Sequence, residues 1–164
     1  MSATPAVLII GIGSPYGDDR LGLEAIAALR QDPYVRAQAK RIALRAADRP
    51  GARLIDLWHG AKAVVLIDGM VTGAAFGTVH RLEEETIARA GGSHPASTHH
   101  FGVAETVALA RQLGVVPGRL ILYGVEIGET GGQAAPGSAM DAALARLTVQ
   151  VVDEVKGWLD EDKG

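Results

Sequence analysis

Short apolar runs alternate with amphipathic stretches along the whole chain. Four of the runs are continuously or largely apolar, as expected of strands that are buried on both faces of a sheet. They are residues 7–12, 41–46, 63–67 and 120–125, the second being the least regular. A fifth segment, 77–82, alternates polar and apolar residues, which is typical of an edge or antiparallel strand with one exposed side.

Helical periodicity separates these strands. Residues 21–29 place apolar side chains on one helical face, and three later stretches show the same spacing, namely 52–58, 103–113 and 138–159. The apolar face of the last helix is predicted to contain Ala142, Leu144, Leu147, Val151, Val155 and Trp158. Strands that alternate with helices predict a three-layer α/β sandwich with a mostly parallel sheet. No linker or change in composition divides residues 1–164, so we expect a single domain.

Composition narrows the class of protein. The 164 residues are 48% hydrophobic, which is incompatible with general disorder, and their formal charge is only -3. Because the sequence has no basic stripe, we do not expect it to bind nucleic acid. It has no cysteine, which excludes thiol nucleophiles and thiolate metal sites. No apolar run is long enough to span a membrane or is arranged as a signal peptide, so we expect a cytoplasmic protein.

Candidate functional residues lie next to three predicted elements. Asp18 and Asp19 follow the first strand, Asp68 follows the strand 63–67, and His99 precedes the helix 103–113. Ligands of open α/β sheets bind outside the carboxyl ends of the strands, so we expect Asp19, Asp68 and His99 to converge on one edge of the sheet. Two carboxylates and an imidazole can hold a divalent metal ion and leave coordination positions open for water or substrate.

Simpler interpretations compete with this one. An aspartate at the start of a helix is a preferred N-cap, so one residue of the Asp18–Asp19 pair can cap the helix while the other faces the cleft. Asp68 is harder to explain without a function, since a carboxylate directly after a core strand needs a cation or hydrogen-bond donors. A loop histidine is commonly solvated, and we interpret three of the five histidines in this way: His59, His80 and His94.

Other catalytic classes lack their motifs. Gly11, Gly13 and Gly17 do not have the spacing of a dinucleotide-binding fingerprint, and no phosphate-binding G-x-x-x-x-G-K-[ST] loop occurs. The sequence also has no G-x-S-x-G elbow, so a serine hydrolase is not supported.

Four segments resemble the motifs of hydrogenase maturation endopeptidases. Residues 11–22 are similar to the opening G-x-G-N…D-[DE]-x-x-G, and residues 65–68 to the carboxylate that follows the third strand. Residues 97–103 resemble the S-x-H-x-apolar-G-apolar segment, and residues 122–126 resemble the end of the last strand. The resemblance covers nearly the whole chain. It implies a twisted five-stranded sheet flanked by helices, of the phosphorylase/hydrolase-like type.

The resemblance also implies an activity. In this family a short C-terminal extension is removed from the precursor large subunit of a [NiFe] hydrogenase after nickel insertion. Carried over to this sequence, the catalytic and metal-contacting positions are Asp19, Asp68 and His99, and the nickel is supplied by the bound precursor. We therefore expect an aspartic, metal-dependent endopeptidase. The sequence leaves self-association open, and we expect a monomer.

Two departures from the family pattern concern the substrate. Ser14 replaces an asparagine, and residues 46–51 replace a D-G-G-T-x-G segment of which only Gly51 remains. We interpret Asp48 and Arg49, together with Gly51, as a recognition patch for a divergent partner. A non-cleaving, metal-sensing chaperone of the large subunit therefore stays an alternative. A peptidyl-tRNA hydrolase-like enzyme is disfavoured, because the catalytic histidine expected soon after the first loop and the basic surface are both missing.

Overall fold

The computed structural model describes residues 4–14, 20–91, 101–128 and 137–164. Within these residues the chain forms five strands: β1 Val7–Gly13, β2 Ile42–Asp48, β3 Ala63–Met70, β4 Val79–Glu83 and β5 Arg119–Glu126. They form one sheet in the order β2-β1-β3-β5-β4. All neighbouring pairs are parallel except β4 and β5, which are antiparallel. The predicted mostly parallel sheet and the antiparallel edge strand are both confirmed.

Six α-helices accompany the sheet in the described part of the chain. They are α1 Leu21–Gln31, α2 Pro33–Ala37, α3 Leu54–Trp58, α4 Glu84–Gly91, α5 Phe101–Leu113 and α6 Gly137–Glu161, and a 3-10 helix, Gly51–Arg53, precedes α3. Two of them, α2 and α4, have no counterpart in the sequence prediction. At five residues α2 is too short to show a period, although the Asp32 carboxylate caps it by accepting a hydrogen bond from Val35 N at 3.1 Å.

The hydrophobic core has two halves, one on each face of the sheet. One half joins Val65 and Ile67 of β3 to α1 and α6, and the other joins Val64 and Leu66 of the same strand to α3, α4 and α5. Because side chains alternate along a strand, a central strand that is buried on both faces must be apolar throughout. This is the physical reason for the continuous apolar runs in the sequence.

The predicted face of α6 needs a correction. Its buried stripe is Met140, Ala143, Leu147, Val151, Val155 and Leu159, whereas Ala142 is exposed. Adjacent alanines at positions 142 and 143 carry no information about which of the two faces the core. Among the helices of the described residues, none is long and apolar enough to cross a membrane.

An ion pair fastens the edge strand β4 to α6 above a buried tyrosine. Arg81 Nη2 lies 2.6 Å from Glu154 Oε1, and this contact raises the pKa of Arg81. Tyr123 of β5 is buried beneath the pair. Burial, reinforced by the charge of Glu154, raises the pKa of the Tyr123 phenol above its usual value.

This shift predicts a loss of stability in alkali. The unfolded tyrosine ionises near pH ~10, whereas the folded one keeps its proton to higher pH. The contribution of Tyr123 is therefore fully present below pH ~10 and is lost as the pH rises towards the folded pKa, at up to about 1.4 kcal/mol per pH unit. We expect Y123F to show a flatter decline in the free energy of unfolding above pH ~10, measured by urea titration, with Y34F as the matched control. Parallel declines in wild type and Y123F would contradict the assignment.

Candidate active site

The carboxyl ends of all four parallel strands lie at the same edge of the sheet. The register pairs Gly13 with Asp48 across β1 and β2, and Met70 with Glu126 across β3 and β5. These four residues are the last residues of their strands. We call this side of the sheet the carboxyl edge, and it is the position at which α/β proteins of this kind bind their ligands.

Asp68 lies at the carboxyl edge and is partly buried. It was predicted to follow its strand directly, but β3 continues to Met70, so the rigid ladder holds Asp68 within it, in register with Gly124. Alternation along β3 places Asp68 on the same face as Val64 and Leu66, which is the face that α5 covers. Across from it, the side chain of Met70 fills the space above Gly124, where a Cβ atom would come within 2.5 Å of Met70 Cε.

Asp19 and His99 lie outside the described residues, but the elements that flank them are described. Helix α1 begins at the carboxyl edge, since a Cβ atom on Gly22 would lie 1.9 Å from the carbonyl oxygen of Ile12 in β1. Helix α5 begins there as well, because a Cβ atom on Gly102 would lie 3.8 Å from Gly51 Cα, three residues after β2 ends. The segments that carry Asp19 and His99 therefore lead into helices whose first turns meet the edge where Asp68 lies. Their roles stay predictions.

The predicted recognition residues also lie at this edge. Asp48 and Arg49 are exposed and form an ion pair in which Arg49 Nε lies 2.9 Å from Asp48 Oδ1. Arg49 has a left-handed backbone with a φ of 43°, a conformation that costs a residue with a Cβ atom about 1–2 kcal/mol. Gly51 accepts a hydrogen bond from Thr106 Oγ1 at 3.3 Å through its carbonyl oxygen, so this turn is attached to α5.

A second carboxylate at the carboxyl edge was not singled out from the sequence. Glu126 is completely buried, and its carboxylate accepts hydrogen bonds from the backbone N–H and the hydroxyl of Thr72. His80 Nε2 lies 3.3 Å from Glu126 Oε1. The interpretation of His80 as a solvated histidine is therefore wrong, whereas His59 is exposed as predicted and His94 lies outside the described residues.

Two further observations delimit the site. Among the described residues, no group of three or more histidine, aspartate and glutamate side chains is placed to hold a metal ion, and the predicted set has only Asp68 in this part of the chain. A groove of about 710 Å³ lies at the opposite edge, where β1, β3 and β5 begin, and basic residues line it: Lys40, Arg41, Lys62 and Arg119. This groove and Asp68 therefore lie at opposite ends of the strands.

The fold and the site together define a class: a three-layer α/β protein with a carboxylate held by a central strand at the carboxyl edge. The family model of the hydrogenase maturation protease HycI matches residues 49–153, a range that contains Asp68 and His99. The match covers more than half of the chain. This chain therefore belongs to the hydrogenase maturation protease family, and the resemblance found in the sequence is confirmed.

Individual relatives agree with this assignment. The hydrogenase expression/formation protein HupD of Thiocapsa roseopersicina is 31% identical over 140 residues, which are 83% of this chain and 62% of that protein. The chain thus spans about three-fifths of the length of this relative. HupD of Rhodobacter capsulatus is 25% identical over 158 residues, which are 93% of this chain and 72% of that protein.

Solved structures share the fold. The hydrogenase maturating endopeptidase HybD from Escherichia coli superposes with a TM-score of 0.75 at 20% identity, covering 92% of both chains. The [NiFe] hydrogenase maturation protease HybD from Thermococcus kodakarensis gives a TM-score of 0.64 at 20% identity, covering 91% of this chain and 97% of that one. At this level of identity the two structures show the fold alone, and it is the fold predicted from the sequence.

Proposed function

We propose that this chain is an endopeptidase that removes the C-terminal extension of a [NiFe] hydrogenase large-subunit precursor after nickel insertion. The observation that carries the proposal is the position of Asp68, a partly buried carboxylate held by β3 at the carboxyl edge. Family membership supports the general activity, since the matched model is that of a hydrogenase maturation protease.

The nickel belongs to the substrate in this proposal. Asp19, Asp68 and His99 would offer two carboxylate oxygens and one imidazole nitrogen, a hard and borderline donor set that suits a divalent first-row metal ion. Nickel bound in the precursor would act as a Lewis acid next to the scissile peptide. Dependence on a metal that only the loaded precursor brings makes cleavage a check on nickel insertion.

The contribution of the chain itself is orientation and charge. Asp68 is part of β3, which has parallel neighbours on both sides, and its backbone is in register with Gly124 of β5. Helix α5 covers the face of the sheet on which Asp68 lies. Fixed orientation of the reacting groups lowers the barrier to peptide hydrolysis without any movement at the moment of reaction.

Processing of a precursor in vitro tests the proposal. A [NiFe] hydrogenase large-subunit precursor, loaded with nickel or free of it, is incubated with this protein and analysed by mass spectrometry. We expect loss of a C-terminal peptide only from the loaded precursor, and no loss with D19A or D68A. A loaded precursor that binds stably and remains intact would refute the peptidase and favour the metal-sensing chaperone, the alternative that the altered segment 46–51 supports.

The recognition patch gives a separate prediction. The D48G/R49G double variant should process the precursor about tenfold more slowly, because it loses an exposed charged pair at the entrance to the site while the catalytic residues remain. Glycine at position 49 also adopts the observed φ of 43° without strain, so the fold should not suffer. The exposed Glu85–Arg89 pair of α4 supplies the control E85A/R89A. Cleavage by D48G/R49G at the wild-type rate would show that the patch has no part in recognition.

A further inference from the structure

A completely buried carboxylate shares a face of the sheet with Asp68. Glu126 ends β5 and is 0% exposed. The register pairs Asp68 with Gly124, so Glu126 is two residues further along the neighbouring strand and on the same face. Strand spacing and rise separate the two Cα atoms by roughly 8 Å. Glu126 is thus next to the candidate catalytic carboxylate, without facing solvent.

Glu126 binds both ends of the connection between β3 and β4, residues 71–78. At the first end its two carboxylate oxygens accept the Thr72 N–H, with N···O distances of 2.9 and 3.0 Å, and Oε1 also accepts the Thr72 hydroxyl. At the other end its backbone accepts a hydrogen bond from Gly77 N at 2.8 Å and donates one to the carbonyl of Thr78 at 2.9 Å. Glu126 therefore makes hydrogen bonds to both ends of the 71–78 connection.

His80 completes the surroundings of the carboxylate. Its Nε2 atom is buried and lies 3.3 Å from Glu126 Oε1. Nε2 makes no hydrogen bond within the described residues. Among the described residues, the hydrogen bonds that the Glu126 carboxylate accepts all come from Thr72.

Burial of a carboxylate in this place is not explained by stability. An apolar side chain of similar volume would fill the space without the cost of removing a charge from water. What a carboxylate adds is direction, because it fixes the donors of Thr72 in one geometry. Thr72 itself is exposed and follows the end of β3 by two residues, so the fixed segment lies beyond Asp68 at the carboxyl edge.

We propose that Glu126 is a positioning residue, which holds the 71–78 connection as a fixed wall of the cleft that receives the scissile segment of the precursor. The inference rests on the proposed endopeptidase function and extends it to a residue that does not touch the substrate. Glu126 acts through Thr72, and the His80 ring lies against its carboxylate.

Three variants test this role. E126M fills the space without accepting hydrogen bonds, E126Q keeps one acceptor oxygen for Thr72, and V151A creates a cavity on the opposite face of the sheet as a control for lost stability. In E126M the amide exchange of Thr72 should accelerate at least about tenfold, as expected for a lost charge-assisted hydrogen bond. Its kcat for the precursor should fall roughly a hundredfold, the effect of a small misplacement at a reacting centre. E126Q should be intermediate in both measurements, and V151A should change neither.

The outcomes separate this proposal from the one on which it rests. Unchanged Thr72 exchange in E126M, or faster exchange with unchanged kcat, overturns the positioning role. If E126M does not fold, the same two criteria are applied to E126Q. If even the wild-type protein fails to cleave, the endopeptidase function fails. In that case the affinity of each variant for the precursor is measured in place of kcat. An E126M protein that binds the precursor as tightly as wild type overturns the positioning role independently.

Discussion

Replacing Asp68 with asparagine is expected to lower the rate of precursor cleavage about a thousandfold. Asparagine has the shape of aspartate, so the variant removes the charge while β3 and its ladder remain. Stabilising charge at a metal-assisted reaction centre contributes several kcal/mol. About 4 kcal/mol corresponds to a factor of about a thousand in rate. The measurement is single-turnover cleavage of the nickel-loaded precursor, followed by mass spectrometry.

A matched variant separates charge at the site from charge on the surface. Asp153 is exposed on α6, and that helix packs on the other face of the sheet, so D153N should cleave at the wild-type rate. The melting temperature of D68N should stay within roughly 4 °C of wild type, which corresponds to about 1–2 kcal/mol for a domain of this size. A D68N protein that cleaves within a factor of two or three of wild type would remove Asp68 from the reaction.

The sequence predicts much of this fold because burial leaves a strong pattern. Strands β1, β3 and β5 are covered on both faces, so their apolar runs are continuous and their parallel pairing follows from the helices between them. The alternation in β4 reflects its position at the edge of the sheet. Helix α4, by contrast, begins with two glutamates and buries Ile87 fully, and such a helix leaves too few apolar positions for a period to be recognised.

The candidate site is only partly readable from the sequence, for a different reason. Asp68 is predictable because its own strand places it at the carboxyl edge. The partnership of Glu126 with His80 depends on the antiparallel register of β4, in which His80 is paired with Gly124. A register that pairs residues 44 positions apart in the sequence has no local signature. A half-buried histidine next to a carboxylate therefore looks, in the sequence, like any other histidine of an edge strand.

The close contact between α1 and β1 predicts a large loss of stability when either of its two glycines is replaced. A Cβ atom on Gly11 would lie 2.1 Å from the carbonyl oxygen of Gly22, and one on Gly22 would lie 1.9 Å from that of Ile12. Both obstacles are backbone atoms, which cannot rotate away as a side chain can. We expect G11A and G22A each to lower the free energy of unfolding by about 3 kcal/mol, the upper part of the range for overpacking. The melting temperature should fall by roughly 6–12 °C, measured by calorimetry.

Helix propensity alone predicts the opposite sign for Gly22. Alanine in a helix interior is favoured over glycine by about 1 kcal/mol, so G22A would stabilise α1 if the helix did not touch the strand. Gly157 of α6 is the control, because it is exposed and nothing lies within 4 Å of its added Cβ atom; G157A should gain that propensity. If G22A behaved like G157A, the close contact of α1 with β1 would be wrong. If the contact is correct, G11A and G22A should also slow cleavage, since α1 begins two residues after Asp19, which is proposed to act together with Asp68. Their combined effect on stability should be smaller than the sum of the two, because either methyl group already separates the same pair of elements.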